Sequence, residues 1–170
     1  MLVFTQCQNI KPETVLIPEY PDFEELLEKQ IELLGTASVQ KEVTLDDQQE
    51  TQVIEMDSAK WAKELFFLKE INPNQPRYIG AFDKSVSTIN QKLILKEGEK
   101  GVLKMVSFAQ EESEYLKIAA TFHEDKDVYT HHRDIKVYFE DGKINSFLID
   151  GYQKMMFKDT VRFTIKVTAN

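Results

Sequence analysis

The spacing of apolar positions changes once along this chain. Phe23, Leu26, Leu27, Ile31 and Leu34 recur at helical spacing and make one apolar stripe. Asp22 stands where an N-cap belongs, Glu24 and Glu25 fall in the first turn, and Gly35 follows as a stop, which predicts a helix from 23 to 34. Val39 to Leu45 alternates as a strand, Asp46-Asp47-Gln48-Gln49 makes a turn, and Thr51 to Met56 gives a return strand. Asp57 or Ser58 then caps a second helix to about Glu70, with Trp61, Leu65 and Leu68 on one face and Ala62 and Phe66 widening it. Asn72-Pro73-Asn74-Gln75-Pro76 ends that helix and forms the clearest internal boundary.

From Arg77 the period moves towards two. Candidate strands are Tyr78 to Phe82, Val86 to Leu95, Val102 to Phe108 and Tyr115 to Phe122. Val128 to Phe139, Lys143 to Ile149, Gln153 to Phe157 and Val161 to Val167 continue the series. Turn residues such as Glu97-Gly98-Glu99-Lys100 and Glu140-Asp141-Gly142-Lys143 separate them. The last strand turns Val161, Phe163, Ile165 and Val167 inward. Short connections imply antiparallel neighbours. The expected fold is therefore α+β: two N-terminal helices separated by a β-hairpin, packed on a C-terminal antiparallel meander of about six to eight strands. Trp61 is expected to anchor helix to sheet.

Charge refines this division. The chain of 170 residues has a formal net charge of -8. Residues 1–76 hold 15 acids and 6 bases, whereas residues 77–170 hold 14 acids and 15 bases. The acidity lies in the N-terminal part, where it reads first as a solvated helical face, and the expected sheet is nearly neutral. Phosphate binding needs clustered cations, so no nucleic-acid partner is expected. One cysteine excludes an internal disulfide framework.

Residues 1–21 read differently from the 22–170 domain. Met1 to Phe4 is a short apolar run, Cys7 follows, and Pro12, Pro18 and Pro21 break any helix. Apolar run, lone cysteine and flexible tether are laid out as at the end of a lipoprotein signal peptide. The run is shorter than the roughly 7–15 residues of a full apolar signal core, so it reads as a truncated remnant. Cys7 is then the lipid-attachment site and the cell envelope the location. The alternative is a cytoplasmic protein with an incidental thiol.

Catalytic patterns are absent: the chain has no G-x-G-x-x-G, P-loop, H-E-x-x-H or G-x-S-x-G. All three histidines, His123, His131 and His132, fall near Glu124, Asp125, Asp127 and Asp134 in two segments expected to face each other across a hairpin. Two imidazoles and a carboxylate could bind a divalent metal. Adjacent residues on a strand point to opposite faces, however, so His131 and His132 cannot share one ion. No metal site, catalytic residue or cofactor is assigned. Tyr129, Tyr138, Phe139, Phe147, Tyr152 and Phe157 could line a ligand cavity, although a sheet core needs such residues in any case.

Trp61-Ala62-Lys63-Glu64-Leu65, then Phe67, Glu70-Ile71-Asn72-Pro73 and Tyr78-Ile79-Gly80-Ala81-Phe82 resemble a family of uncharacterised small lipoproteins of Bacteroidetes-type Gram-negative bacteria. Lys41-Glu42-Val43 in the hairpin is similar too. The resemblance implies acylation at Cys7 and an outer-membrane or periplasmic address, and it carries no catalytic residue. The expected function is a membrane-anchored, non-enzymatic binding or accessory protein, with an apolar ligand or a protein as partner. The alternatives are a hydrolase or metal-binding protein built on His123, His131 and His132, and an acidic protein-interaction domain.

Overall fold

The computed structural model describes residues 20–111 and 114–169, so Cys7 lies outside the described residues. Helix α1 (Phe23–Leu34) begins as expected. Asp22 accepts hydrogen bonds from the backbone N–H groups of Glu24 (2.8 Å) and Glu25 (3.2 Å). It stops at Gly35, whose φ of 53° is cheap only without a Cβ. Ahead of it, Asn74 bonds both backbone groups of Tyr20 and the carbonyl of Pro21, which holds the chain entry against the post-helix loop.

Nine strands follow: β1 (Ala37–Leu45), β2 (Gln48–Met56), β3 (Phe82–Val86), β4 (Asn90–Leu95), β5 (Leu103–Glu111), β6 (Glu114–Lys126), β7 (Tyr129–Glu140), β8 (Lys143–Met155) and β9 (Val161–Ala169). They form one antiparallel sheet in the order β2-β1-β9-β8-β7-β6-β5-β4-β3. The seven strands after Arg77 are the expected meander. The N-terminal hairpin does not stand apart from it: β1 pairs with β9 from Val39 opposite Ala169 to Leu45 opposite Phe163. That pairing satisfies the backbone of the last strand and moves the free edge to β2.

Between β2 and β3 the chain crosses one face of the sheet as α2 (Ser58–Glu64), α3 (Phe67–Ile71) and a 3₁₀ turn (Pro76–Tyr78). The expected single helix to Glu70 is thus two. Leu68 N–H bonds the Leu65 carbonyl and Lys69 N–H that of Phe66, a tighter pitch that interrupts the α ladder. In a straight helix Phe67 would stand about 100° around from Leu68. The break brings both inward, and Phe67 meets Phe147 with ring centroids 5.1 Å apart. Trp61, expected to anchor helix to sheet, is 1% exposed within the core.

Other boundaries differ locally. Tyr78 is in the 3₁₀ turn and not in a strand, because its ring covers Gly101 and its hydroxyl accepts from Leu103 N–H at 3.1 Å. The stretch 86–95 is divided by a turn in which Ser87 and Asn90 bond each other, leaving β3 and β4 as a hairpin. The strands expected at 143–149 and 153–157 are one: β8 pairs with β7 as far as Met155, and Phe157 lies in the turn beyond.

One buried polar residue fixes α1 to the sheet. Gln30 is 1% exposed, donates to the Gly142 carbonyl (2.8 Å) and accepts from Ile144 N–H (2.8 Å). Replacing it strands two buried backbone groups. We expect Gln30→Leu, despite its fitting volume, to lower stability by about 2–3 kcal/mol. The check is denaturant unfolding at unchanged m-value, and a loss below about 0.5 kcal/mol would contradict the clamp.

Candidate functional site

The inward-facing rows of three adjacent strands lose their cover towards the same end of the sheet. On β9 exposure rises from 2% at Val167 to 41% at Val161; on β1 it rises from 1% at Val39 to 50% at Leu45. On β8 it rises from 1% at Phe147 to 45% at Met155. The β1–β2, β6–β7 and β8–β9 turns gather at this end, as the registers require. The cause is the path of the strap from α2 to the 3₁₀ turn. Its marks across the face are Glu64 on Lys41 of β1 (2.6 Å), Glu70 on Arg133 of β7 (2.9 Å) and Tyr78 on Leu103 of β5. Beyond that line the sheet continues without helices, and an amphipathic floor is left open. Val43, Leu45, Phe163, Val161 and Met155 make its apolar side; His131, Tyr129, Glu124 and Lys126 make its polar side.

Register fixes which side chains share the floor, because directly paired residues lie on one face. Ile135, Val137 and Phe139 face the helices, so Arg133, His131 and Tyr129 do as well. Opposite them on β8 stand Gly151, Gln153 and Met155. Gly151 has no side chain, and the Phe163 ring lies across it: a Cβ there would be 2.8 Å from Phe163 Cζ and would meet the His132 carbonyl. Crossing β8 in this way, Phe163 stacks on His131 at 6.4 Å with an 18° interplanar angle. Arg133 closes the floor at the strap, with its guanidinium 4.6 Å over the Phe122 ring and bonded to Glu70. Its Nε is buried with no partner among the described residues.

The electrostatics follow from these neighbours. Partial burial, with Arg133 close by, holds the His131 imidazole below its ordinary value, so neutral His131 is the favoured form. The Tyr129 hydroxyl bonds the Glu124 carboxylate, lowering that acid and raising the phenol, and Lys126 acts on Glu124 in the same direction.

The three histidines come together only in part. His123 and His132 are cross-strand partners on the opposite, solvent-facing side, with ring centroids 5.8 Å apart, and His132 also stacks on Tyr152 at 5.4 Å. His131 is alone on the helix side. Among the described residues no group of three His, Cys, Asp or Glu side chains could hold a metal. His132 Nε2 lies 3.2 Å from Asp134, and the Thr121 hydroxyl donates to the same carboxylate at 2.6 Å. The carboxylate stands between hydroxyl and imidazole, whereas hydroxyl activation needs the imidazole in the middle. This cluster joins strands and is not built as a relay.

The six aromatics likewise do not line one cavity. Phe139 and Phe147 are core; Tyr138, 40% exposed, faces solvent with Lys117 over its ring at 5.3 Å; Tyr152 lies with His132. Tyr129 is on the floor, and Phe157 is 97% exposed at a turn. Sequence reasoning missed Gly151 and Arg133. The expected break between 143–149 and 153–157 puts Gly151 outside any strand, whereas it lies inside β8 and its bare Cα is what admits the ring.

Two outcomes are expected. Gly151→Ala forces the Phe163 ring or the β7 backbone aside and should cost about 1–3 kcal/mol, read as a lower unfolding midpoint. The second concerns pH. The folded value of His131 is lowered from 6.5, so its contribution to stability is present above that value and is lost as pH falls through the folded one. The Tm of His131→Gln should therefore fall less than that of the unsubstituted chain between about pH 7 and pH 5. Equal slopes would remove His131 from the acid response.

No family model, no curated protein and no solved structure matches this chain, so the functional reading rests on its own residues.

Proposed function

We propose that this chain is a non-enzymatic binding protein of the cell envelope, tethered to the membrane through lipid on Cys7, that receives an apolar ligand on the open floor of its sheet. The observation that supports it is the shared loss of cover along β1, β9 and β8, from 1–2% to 41–50% exposure within single strands. Here apolar residues continue past the strap, with a polar border on β6 and β7 to orient what lies on them. The Cys7-Pro-rich opening and the resemblance given above supply the tether and the address.

The test is mass spectrometry of the chain extracted from its native membranes. Acyl mass on Cys7 and a co-purifying apolar molecule are expected, with Cys7→Ser moving the chain to the soluble fraction. Leu45→Lys with Val161→Lys, both at exposed positions, should leave Tm nearly unchanged and abolish the co-purifying molecule. An unmodified chain in the cytosol would refute the tether; a ligand retained by the double variant would refute the floor.

A further inference from the structure

The β6–β7 and β8–β9 turns lie side by side at the open end of the sheet. Met156 N–H bonds the Val128 carbonyl at 2.9 Å, and a shallow recess of about 500 Å³ lies between the turns. Three apolar side chains crown this apex: Phe157 at 97% exposure, Val128 at 59% and Met156 at 49%. Phe157 is also held at φ 61°, a left-handed conformation that glycine or asparagine adopts at lower cost. Among the described residues its ring is left almost wholly exposed and its backbone favours another residue, so folding alone does not account for a phenylalanine there.

We infer that this apex is a bilayer contact, with Phe157 entering the boundary between headgroups and acyl chains of a membrane containing anionic lipid. The shape selects the partner class. Two short turns offer little surface to another protein, whereas stable protein interfaces bury roughly 800 Å² a side. A bilayer needs no matching pocket, and an exposed aromatic ringed by lysines is suited to its interface. Lys126, Lys154 and Lys158 surround the apex, interleaved with Asp127 and Asp159. Their long stems let the charged ends reach headgroups while the apolar crown enters below them. Placement agrees with charge: the apex belongs to residues 77–170, with 14 acids and 15 bases, and not to the acidic N-terminal part.

The experiment uses the full chain carrying Cys7→Ser, so that binding does not depend on acylation and the outcome is separate from that of the tether. Co-sedimentation is measured with vesicles of phosphatidylcholine alone and of phosphatidylcholine with phosphatidylglycerol. Binding is expected, stronger to the mixed vesicles. Phe157→Asn should lower the partition coefficient about tenfold, the effect of withdrawing one buried aromatic, while leaving Tm unchanged or higher. Phe157→Trp should gain blue-shifted emission on adding vesicles, above the constant background of Trp61. A chain that stays in the supernatant with both vesicles overturns the inference, as does Phe157→Asn binding equally well. A dimer in sedimentation velocity that Phe157→Asn abolishes, without vesicle binding, would assign the apex to a second copy instead.

Discussion

Pairing of the first strand with the last is the constraint on which this architecture depends. Once β1 lies beside β9, the hairpin and the meander become one sheet whose edges are β2 and β3. Those two strands follow each other in sequence but sit eight strand spacings apart, about 38 Å in a flat sheet. The segment between them, residues 57–81, therefore has to cross the whole face. A single straight helix of that length could span the distance, but it would present one narrow stripe to a twisted surface. The chain instead breaks at Leu65-Phe66 and again at the Asn-Pro turn, and each piece turns its own apolar residues down: Trp61 from α2, Phe67 and Ile71 from α3, Tyr78 from the 3₁₀ turn. Each piece is also fixed to a different strand, through Lys41, Phe147 and Leu103.

The same crossing divides the face. On one side of the strap, α1 fills the space and is clamped by Gln30 to the β7–β8 turn, and Ile118, Val137, Ile144 and Phe147 there are buried. On the other side β6 to β9 run on past the last helical contact. Arg133 marks the border. Its charge is kept near the core because Glu70 on the strap pairs with it and the Phe122 ring lies beneath it. Next along β7 comes His131, whose neutral form is favoured by partial burial and by that same guanidinium. Polarity thus changes in steps along one strand, from Val137 and Ile135 through Arg133 to His131 and Tyr129, and the open floor begins where a helix would otherwise have had to cover charged groups.

Much of the local structure was legible because it depends on neighbours in sequence. The α1 stripe, its Asp22 cap and its Gly35 stop are all short-range, and the structure has them at the expected positions. Alternation and turn residues predict the antiparallel meander, although they place Tyr78 in a strand, run 86–95 together and divide β8 in two. What could not be read depends on contacts distant in sequence. Nothing in Val39 to Leu45 announces β9 as its partner. Gln30 reads as one polar position on an amphipathic helix, yet its partners lie more than a hundred residues away. Period-two alternation shows that His131 and His132 part company, but not that His132 finds His123 and Tyr152 while His131 finds Phe163. That last contact depends on the missing side chain of Gly151, an absence that alternation does not register.

The open end also explains how an incompletely covered sheet stays a discrete fold. One of the two edges, β2, carries Gln48, Gln49, Glu50, Gln52 and Glu55 beside the exposed Val53, so pairing with another chain would bring carboxylates together along the ladder. That edge is mainly polar, and the floor and the apex are two of the places where apolar side chains escape cover. The two apolar places differ in kind. On the floor, Leu45, Val161 and Met155 continue the rows that form the core, so their exposure follows from where the strap stops. At the apex, Phe157 continues no row and occupies a backbone conformation that costs an L-residue about 1–2 kcal/mol. Exposure on the floor is compatible with packing that simply ended; exposure at the apex opposes both packing and backbone preference, and it is there that a selective pressure other than folding is most visible in the structure.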